Sequence, residues 1–262
     1  MRVLMIGDVV GRPGRNLLRR VLPKLRKERD IHFVICNGEN AAGGFGLTAP
    51  VAEELFAMGV DVLTSGNHIW DKREIYQFLE EDPRILRPEN YPPGVPGRGW
   101  GVFQCNDVPL CVLNLAGRVF MGELDCPFRT ATRVLGQIGD KIPVVIVDFH
   151  AEATAEKVAM GWHLDGKVSA VVGTHTHVQT ADARILPQGT AYITDLGMTG
   201  PIDSVIGIKK EVILERFHTQ LPARFVVAGG PVVLGAAIID IDPASGKAVG
   251  IERIWEVNDE TK

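Results

Sequence analysis

Five short apolar segments of this chain end in side chains that can bind a metal ion or transfer a proton. The five ends read Gly7-Asp8, Asn37-Gly38-Glu39-Asn40, Ser65-Gly66-Asn67-His68, Asp148-Phe149-His150 and Gly173-Thr174-His175-Thr176-His177. Each end alone has an ordinary explanation as a turn or as a packed histidine. Five such ends together are hard to attribute to turn preference, so they indicate one shared site.

The side chains at these ends form a donor set of carboxylates, amides and imidazoles without a thiolate. Such a set favours manganese, iron or zinc over a cysteine-rich structural zinc site. The candidate metal ligands are Asp8, Glu39, Asn40, Asn67, His150, His175 and His177. Seven donors exceed one four-coordinate site. They match two metal ions about 3.5–4 Å apart that share a carboxylate, for which Glu39 is the candidate.

The last of the five ends contains two histidines separated by one residue. Because side chains two positions apart on a strand lie on the same face, His175 and His177 are expected to point to one side of the sheet. This spacing suits two ligands of one metal centre.

The N-terminal part of the chain alternates strand-like and helix-like segments. Val3–Ile6, Phe33–Cys36 and Val60–Thr64 are short apolar runs, and amphipathic stretches near residues 13–29 and 50–58 separate them. This alternation of strands and helices predicts parallel strands covered by helices. Ligands of open α/β sheets bind just beyond the carboxyl ends of such strands, so the five polar ends are expected to converge.

The remaining elements complete a two-sheet architecture. Further helices are predicted near 71–80, 127–140, 154–163 and 210–220, and further strands at Val102–Cys105, Leu110–Leu115, Val144–Val147, Val168–Val172, Ala191–Thr194, Val232–Ile241 and Ala248–Val257. The last two strands flank a turn-forming segment and predict an antiparallel hairpin. A βαβ half followed by a more antiparallel half predicts two sheets packed on each other between helices. We expect residues 1–262 to form a single domain, because no repeat or low-complexity tract interrupts the pattern.

The composition is that of an ordinary globular protein. The 262 residues include 28 Lys and Arg against 32 Asp and Glu, for a net charge of −4, and 45% are hydrophobic. This balance excludes disorder for the bulk of the chain and gives no general attraction to nucleic-acid backbones. No apolar stretch approaches eighteen residues, so no membrane association is expected. Dispersed cysteines without a C-x-x-C motif indicate reduced thiols and a cytoplasmic location.

The ordered motifs resemble those of the calcineurin-like metallophosphoesterases. The family pattern is Asp-x-His, Gly-Asp-x-x-Asp, Gly-Asn-His-Asp/Glu, a lone His and then Gly-His-x-His, and the resemblance spans residues 7–177. The chain departs from it in three ways. Val10 replaces the first histidine, Glu39 replaces the bridging aspartate, and an apolar residue replaces the acid that usually follows His68. Asp71 is a candidate substitute for that acid.

These variations, together with the sequences at residues 7–15 and 37–44, resemble the YmdB-like bacterial branch of the family. The resemblance implies an α/β fold, a four-layer α/β/β/α sandwich of two mixed sheets. It also implies two metal-ligand sets, Asp8, Glu39, Asn40 and His177 for one ion and Glu39, Asn67, His150 and His175 for the other. His68 would be the catalytic proton donor.

Members of this branch are described as 2′,3′-cyclic-nucleotide phosphodiesterases, so the resemblance implies cleavage of the 2′ ester bond to leave a 3′-nucleotide. Two metal ions, iron or manganese with zinc as the third candidate, would activate a bridging hydroxide for in-line attack on phosphorus. His68 would protonate the departing oxygen. RNA ends or RNA-processing proteins are open as further partners. Homo-oligomerisation is expected because similar proteins are described as oligomers.

Two other functions stay open at this point. Gly7, Gly11 and Gly14 follow the first strand and precede a helix, which suggests a dinucleotide-binding module, but their spacing is not Gly-x-Gly-x-x-Gly. A non-catalytic, metal-containing sensor of nucleotides or RNA is favoured by the missing acid after His68. Against the sensor, seven donors shared by two ions leave coordination positions for water and phosphate, whereas structural sites are saturated by protein.

Overall fold

The computed structural model describes residues 1–258, apart from the side chain of Asp140, so the predicted domain end at residue 262 lies outside the described residues. Within them, the α-helices are α1 (Gly11–Glu28), α2 (Ala49–Ala57), α3 (Ile75–Glu81), α4 (Pro127–Ile138), α5 (Thr154–Leu164) and α6 (Lys210–Thr219). The strands are β1 (Arg2–Ile6), β2 (Asp8–Val9), β3 (Phe33–Asn37), β4 (Val62–Thr64), β5 (Trp100–Cys105), β6 (Val108–Ala116), β7 (Val144–His150), β8 (Ala170–Thr174), β9 (Arg184–Ile185), β10 (Ala191–Ile193), β11 (Met198–Pro201), β12 (Val232–Ile241) and β13 (Ala248–Asn258). Short 3₁₀ helices lie at Asn67–Asp71 and Gly139–Lys141.

The strands form two sheets. The first has the order β2-β11-β12-β1-β3-β4, with β13 paired to β12, and the second has the order β5-β6-β7-β8-β10-β9. Strands β1, β3 and β4 are mutually parallel, and so are β6, β7, β8 and β10. Strand β12 and the edge strand β5 run antiparallel to their neighbours. Both sheets are therefore mixed, as predicted.

Three buried hydrophobic clusters hold the layers together. Between the sheets, Met5 of β1 packs in one cluster with Ile146 of β7. Outside the first sheet, Leu17 of α1 belongs to a second cluster. Outside the second sheet, Val134 of α4 and Met160 of α5 belong to a third. The order helix, sheet, sheet, helix confirms the predicted four-layer α/β/β/α sandwich.

Helix α1 covers the first sheet because its apolar positions fall on one face. Gly14, Leu17 and Leu18 are buried at the three- and four-residue spacing of a helix face. A Cβ at Gly14 would lie 2.2 Å from the carbonyl oxygen of Thr199, so glycine allows the helix to contact the sheet directly. This packing role accounts for a glycine that suggested a dinucleotide-binding loop.

One expectation about the second half of the chain is wrong. The second sheet is not mainly antiparallel, because the four strands β6, β7, β8 and β10 are parallel. The C-terminal hairpin of β12 and β13 forms as predicted, but β12 inserts beside β1, with Ile239 opposite Val3. The end of the chain thus completes the sheet that its beginning starts. Strand direction depends on these long-range pairings rather than on local residue pattern.

The helix predicted near 71–80 begins later than expected. A 3₁₀ helix at Asn67–Asp71 precedes α3, which begins at Ile75. The backbone N–H of His68 donates a hydrogen bond to Oε2 of Glu39 at 3.1 Å, so it is engaged outside the helix. The 3₁₀ helix and the short turn that follows it therefore take the place of the first four residues of the predicted helix.

Two expectations drawn from composition can be compared with the structure. All four cysteines are free thiols; Cys36, Cys105 and Cys111 are buried and Cys126 is partly exposed. No helix within residues 1–258 has the length and apolar character needed to cross a membrane.

Candidate metal centre

The candidate site lies where strand ends from the two stacked sheets meet. The predicted residues are placed as follows: Asp8 in β2, Glu39 and Asn40 after β3, Asn67 and His68 after β4, His150 at the end of β7, and His175 and His177 after β8. The backbone N–H of His175 donates to Oδ2 of Asp8 at 3.1 Å, which links the second sheet to the first. The structure brings all seven predicted ligands and His68 together at this edge.

Glu39, His150 and His175 form the tightest group of donors. Nε2 of His150 lies 3.0 Å from Oε1 of Glu39 and 2.9 Å from Nδ1 of His175. One ligand atom from each of the three residues lies within 4.8 Å of the others. Two ligands about 2.1 Å from one ion lie roughly 3–4 Å from each other, so these three residues can close around one cation.

Asn67 and Gly66 complete this group. Oδ1 of Asn67 lies 3.2 Å from Nε2 of His150. A Cβ at Gly66 would lie 2.2 Å from the same Nε2 and 2.5 Å from Oε2 of Glu39. Any side chain at this position would fill the space among the donors, so glycine keeps that space open.

Asp8, Asn40 and His177 form a second group beside the first. Nε2 of His177 lies 3.3 Å from Oδ1 of Asn40 and 3.9 Å from Oδ1 of Asp8. The same Asp8 oxygen lies 3.8 Å from Nδ1 of His150, so Asp8 connects the two groups. Glu39 lies in the first group, and its predicted role as a ligand shared by both metal ions stays a prediction.

Buried oxygens without donors indicate that the residues fit a metal site. Among the described residues, no donor with hydrogen-bond geometry reaches Oδ1 of Asp8 or Oε1 of Glu39, although both carboxylates are buried. A buried carboxylate oxygen is costly unless a donor or a cation satisfies it. The surrounding oxygen and nitrogen donors suit manganese, iron or zinc.

The charged groups of the site perturb one another strongly. Burial opposes the charge on Glu39, but the neighbouring His150 and His68 outweigh it and lower the pKa of Glu39 to about 2. Burial also opposes the charge on His150, but the carboxylates of Glu39 and Asp8 outweigh it and raise the pKa of His150 to about 9. Burial and the charge of His150 lower the pKa of His175 to about 3. Because a metal ligand is a neutral imidazole, cation binding displaces the proton that His150 holds.

His68 borders the group of Glu39, His150, His175 and Asn67, which we call the metal group, and the His68 ring makes a separate contact with Asp71. Nδ1 of His68 lies 2.9 Å from Oδ2 of Asp71. The ring also packs edge-on against Phe45, with ring centroids 5.1 Å apart. Asp71 therefore occupies the place of the acid that is missing directly after His68, as the sequence suggested.

The loop after β8 carries its two histidines in left-handed backbone conformations. The φ angle is +102° at His175 and +64° at His177. Residues other than glycine rarely adopt such angles, and the surrounding contacts must hold them there. The predicted cause of their convergence, alternation along a strand, is therefore wrong. Strand β8 ends at Thr174, and the backbone of each histidine turns it toward the site separately.

Asp148 and Thr174 orient His150 from the interior. The Thr174 hydroxyl donates to Oδ1 of Asp148 at 2.7 Å, so it accepts from Nδ1–H of His150 at 2.9 Å. Thr64 donates to the other Asp148 oxygen at 2.5 Å. Burial raises the pKa of Asp148 to about 6. These contacts leave Nε2 of His150 facing the donor group, as outer contacts of metal ligands commonly do.

A buried ion pair supports the histidine loop. Lys157 and Asp195 are 1% and 0% exposed, and Nζ of Lys157 lies 2.6 Å from Oδ2 of Asp195. Nζ also donates to the carbonyl of Thr174 at 2.7 Å, and Asp195 accepts from the backbone N–H of Thr176 at 3.1 Å. The pair therefore holds the backbone on both sides of His175. Sequence reasoning missed it, because lysines in helices are mostly solvent-exposed.

A strained turn orients His177. Nδ1–H of His177 donates to the carbonyl oxygen of Ile206 at 2.9 Å. The φ angle of Ile206 is +47°, a conformation that is exceptional for a β-branched residue. The strain is therefore placed where a candidate metal ligand receives its orientation.

A cavity of about 650 Å³ opens on the metal group. Its other side is formed by Phe45, Ile206, Ile213, Arg216, Phe217 and Phe225 among others. Sequence reasoning missed this side. A helix near 210–220 was predicted, but no motif indicates that it lies beside the strand ends.

Comparison with known sequences agrees with this geometry. A family model described as YmdB-like protein matches residues 4–254. The chain is 52% identical over 260 residues to a 2′,3′-cyclic-nucleotide 2′-phosphodiesterase from Bacillus subtilis (strain 168). The aligned region covers 99% of this chain and 98% of that protein.

Solved structures show the same fold. A crystal structure described as a novel phosphatase from Mycoplasma pneumoniae superposes with a TM-score of 0.94 at 33% identity, covering 100% of this chain and 95% of that one. A NAD nucleotidase from Haemophilus influenzae superposes with a TM-score of 0.62 at 14% identity, covering 99% of this chain and 56% of that one, and shows the fold alone. The predicted family is confirmed: this chain belongs to the YmdB-like family.

Proposed function

We propose that this chain is a metal-dependent phosphodiesterase that hydrolyses 2′,3′-cyclic nucleotides at the 2′ ester bond and leaves 3′-nucleotides. The observation that carries the proposal is the convergence of Glu39, His150 and His175 next to His68. The name of the B. subtilis relative, at 52% identity, supports the substrate class.

The proposed cofactor is a pair of divalent or transition-metal ions. The residues that would hold them are Asp8, Glu39, Asn40 and His177 for one ion and Glu39, Asn67, His150 and His175 for the other. Iron or manganese suits this donor set, and zinc is compatible with it. When bound, the ions supply positive charge against the phosphodiester and lower the pKa of the water that attacks phosphorus.

His68 is the proposed proton donor. As the bond between phosphorus and the 2′ oxygen breaks, Nε2 of His68 gives its proton to that oxygen. Nδ1–H stays hydrogen-bonded to Oδ2 of Asp71 at 2.9 Å, which fixes the orientation of the ring. The His68 side chain is 30% exposed, so it can regain a proton from water.

The hypothesis of a non-catalytic sensor loses the observation that favoured it. That observation was the absence of an acid beside His68, and Asp71 makes the contact in question. The dinucleotide-binding alternative loses support as well, because Gly14 packs against the carbonyl of Thr199.

Several narrower properties stay predictions. They are the single-domain organisation over residues 1–262, the cytoplasmic location, homo-oligomerisation, and RNA ends or RNA-processing proteins as partners. The proposed chemistry depends on none of them.

The test is hydrolysis of 2′,3′-cyclic AMP by the Mn²⁺-loaded chain, with 2′-AMP and 3′-AMP separated. We expect 3′-AMP, with a rate that is lost on chelation and restored by Mn²⁺. Phe120→Ala is the matched control, since Phe120 is 87% exposed and should not affect the rate. Formation of 2′-AMP would contradict the proposed bond. No hydrolysis by a chain that holds two ions would contradict the substrate class.

A further inference from the structure

The cavity at the metal group has an apolar side that the proposed hydrolysis does not use. Its volume of about 650 Å³ lies within the roughly 300–1,000 Å³ of small-molecule sites. Glu39 and His177 line one side, and Ile206, Phe217 and Phe225 line the other. A phosphodiester held at the metal donors would therefore have the rest of its molecule in this apolar space.

Two aromatic rings form a platform on the apolar side. The rings of Phe45 and Phe225 are stacked, with centroids 5.9 Å apart and an angle of 26° between their planes. Phe45 also packs edge-on against His68, so the platform begins beside the proposed proton donor. Aromatic rings are the surfaces on which nucleobases stack in proteins that accept any base.

Arg216 places a cation over the Phe225 ring of this platform. Its guanidinium carbon lies 4.9 Å from the centre of the Phe225 ring. A guanidinium is planar and always charged, and it stacks on aromatic faces and on bases. Arg216 therefore continues the stack that Phe45 and Phe225 form, and it brings a positive charge to the cavity lining.

Ile206 connects the apolar side to the metal side. Its side chain lines the cavity, and its carbonyl oxygen accepts from Nδ1–H of His177 at 2.9 Å. The position of a metal ligand and the position of the apolar wall are therefore set by the same turn.

We propose that the apolar side is a nucleobase subsite, in which the base stacks against the group formed by Phe45, Phe225 and the Arg216 guanidinium. The inference rests on the proposed function, because it takes the cyclic phosphate to be held at the metal group. Recognition is then by stacking rather than by hydrogen bonds to base edges. The subsite accepts all bases and gains most from purines, which have the larger ring area.

The test compares three substrates of the Mn²⁺-loaded chain: an abasic ribose 2,3-cyclic phosphate, 2′,3′-cyclic UMP and 2′,3′-cyclic AMP. We expect Phe225→Ala to lower kcat/KM for cyclic AMP by about tenfold, to lower it less for cyclic UMP, and to leave the abasic substrate unchanged. Phe225→Leu keeps apolar bulk without a flat ring and should show the same order, whereas Phe225→Trp should retain the wild-type values. Arg216→Ala should give a smaller loss in the same order.

Binding of adenosine, which has a base but no phosphate, separates this inference from the proposed function. Ligand-observed NMR on the zinc-loaded chain should show adenosine bound to the wild type and lost from Phe225→Ala. That result supports the subsite even where no cyclic nucleotide is hydrolysed. Equal losses for the abasic substrate and cyclic AMP would overturn the subsite. So would adenosine that fails to bind the wild type or binds Phe225→Ala equally well.

Discussion

The two sides of the cavity are built in opposite ways. The metal side comes from strand ends and is buried, with Asp8 and His150 at 0% exposure and Glu39 at 1%. The apolar side comes from α6 and the loops around it and is open, with Phe217 at 69% exposure and Ile206 at 49%. Buried strand ends hold donors rigidly, whereas exposed loops can adapt to a ligand.

Under the proposed function, this difference separates the residues that carry out the reaction from those that recognise the substrate. On the metal side, the ion pair of Lys157 and Asp195 holds the strained backbone around His175. Changes there are expected to alter metal content and kcat. Changes on the apolar side, such as those at Phe225, are expected to act mainly on KM. A substitution on the metal side that alters only KM would contradict this division. So would a substitution on the apolar side that alters metal content.

The largest effect is expected at Glu39. Glu39→Gln keeps the side-chain shape but removes the charge shared by the two ligand sets. We expect fewer than two ions per chain and a fall in kcat/KM of about ten-thousandfold or more, because bound metal supplies several kcal/mol of transition-state stabilisation. Elemental analysis and steady-state kinetics measure both. Glu53→Gln, at an exposed residue of α2, is the control. Two ions retained by Glu39→Gln would contradict the ligand assignment.

The next effect is expected at His68. His68→Ala should keep two ions and lower kcat for cyclic AMP by about a hundredfold to a thousandfold, because general-acid help with the leaving oxygen is lost. Bis(p-nitrophenyl) phosphate should lose much less, since its leaving group departs without protonation. A matching loss on both substrates would show that His68 is not the acid.

A smaller effect on activity is expected at the buried ion pair. Lys157→Met leaves Asp195 charged and unpaired, so we expect a loss of about 3–5 kcal/mol in the free energy of unfolding. We also expect a fall in kcat of about tenfold to a hundredfold, the range for outer contacts of metal ligands. Denaturant unfolding and kinetics measure the two. The double variant Lys157→Met with Asp195→Asn should regain stability but not kcat. If the double variant regained both stability and kcat, the ion pair would contribute to stability alone and not to the position of His175.

The smallest effect on the metal side is expected at Asp71. Asp71→Asn keeps a hydrogen-bond acceptor beside Nδ1 of His68 but replaces the carboxylate by a neutral amide that can also turn its NH₂ toward the ring. We expect about a tenfold fall in kcat with metal content unchanged, as measured by kinetics and elemental analysis. A loss as large as that of His68→Ala would mean that Asp71 does more than orient the ring.

The metal side can be predicted from the sequence because strand ends are marked locally. Apolar runs that stop at glycine and polar residues place Asp8, Glu39 and His150 correctly. The backbone rotations at His175 and His177 cannot be predicted in this way, because they depend on contacts such as that of Ile206 with His177. The sequence therefore predicts which side chains meet at the strand ends, but it does not predict the backbone rotations that turn His175 and His177 toward them.

The apolar side cannot be predicted from the same signals. Phe217 and Arg216 read as surface residues of a helix, and Phe225 lies in a segment without strand or helix periodicity. Their place beside the strand ends depends on long-range packing, such as the bridge between Ile208 and Val227. The direction of the strands in the second sheet escaped prediction for the same reason.

The most direct test of the two-metal centre is the Mn²⁺ content and EPR spectrum of the wild-type chain. Ions that share a carboxylate about 3.5–4 Å apart are magnetically coupled, so we expect two Mn²⁺ ions per chain with an exchange-coupled signal. The coupled signal should vanish in Glu39→Gln. One ion per chain, or two ions without coupling, would contradict a shared centre at the strand ends.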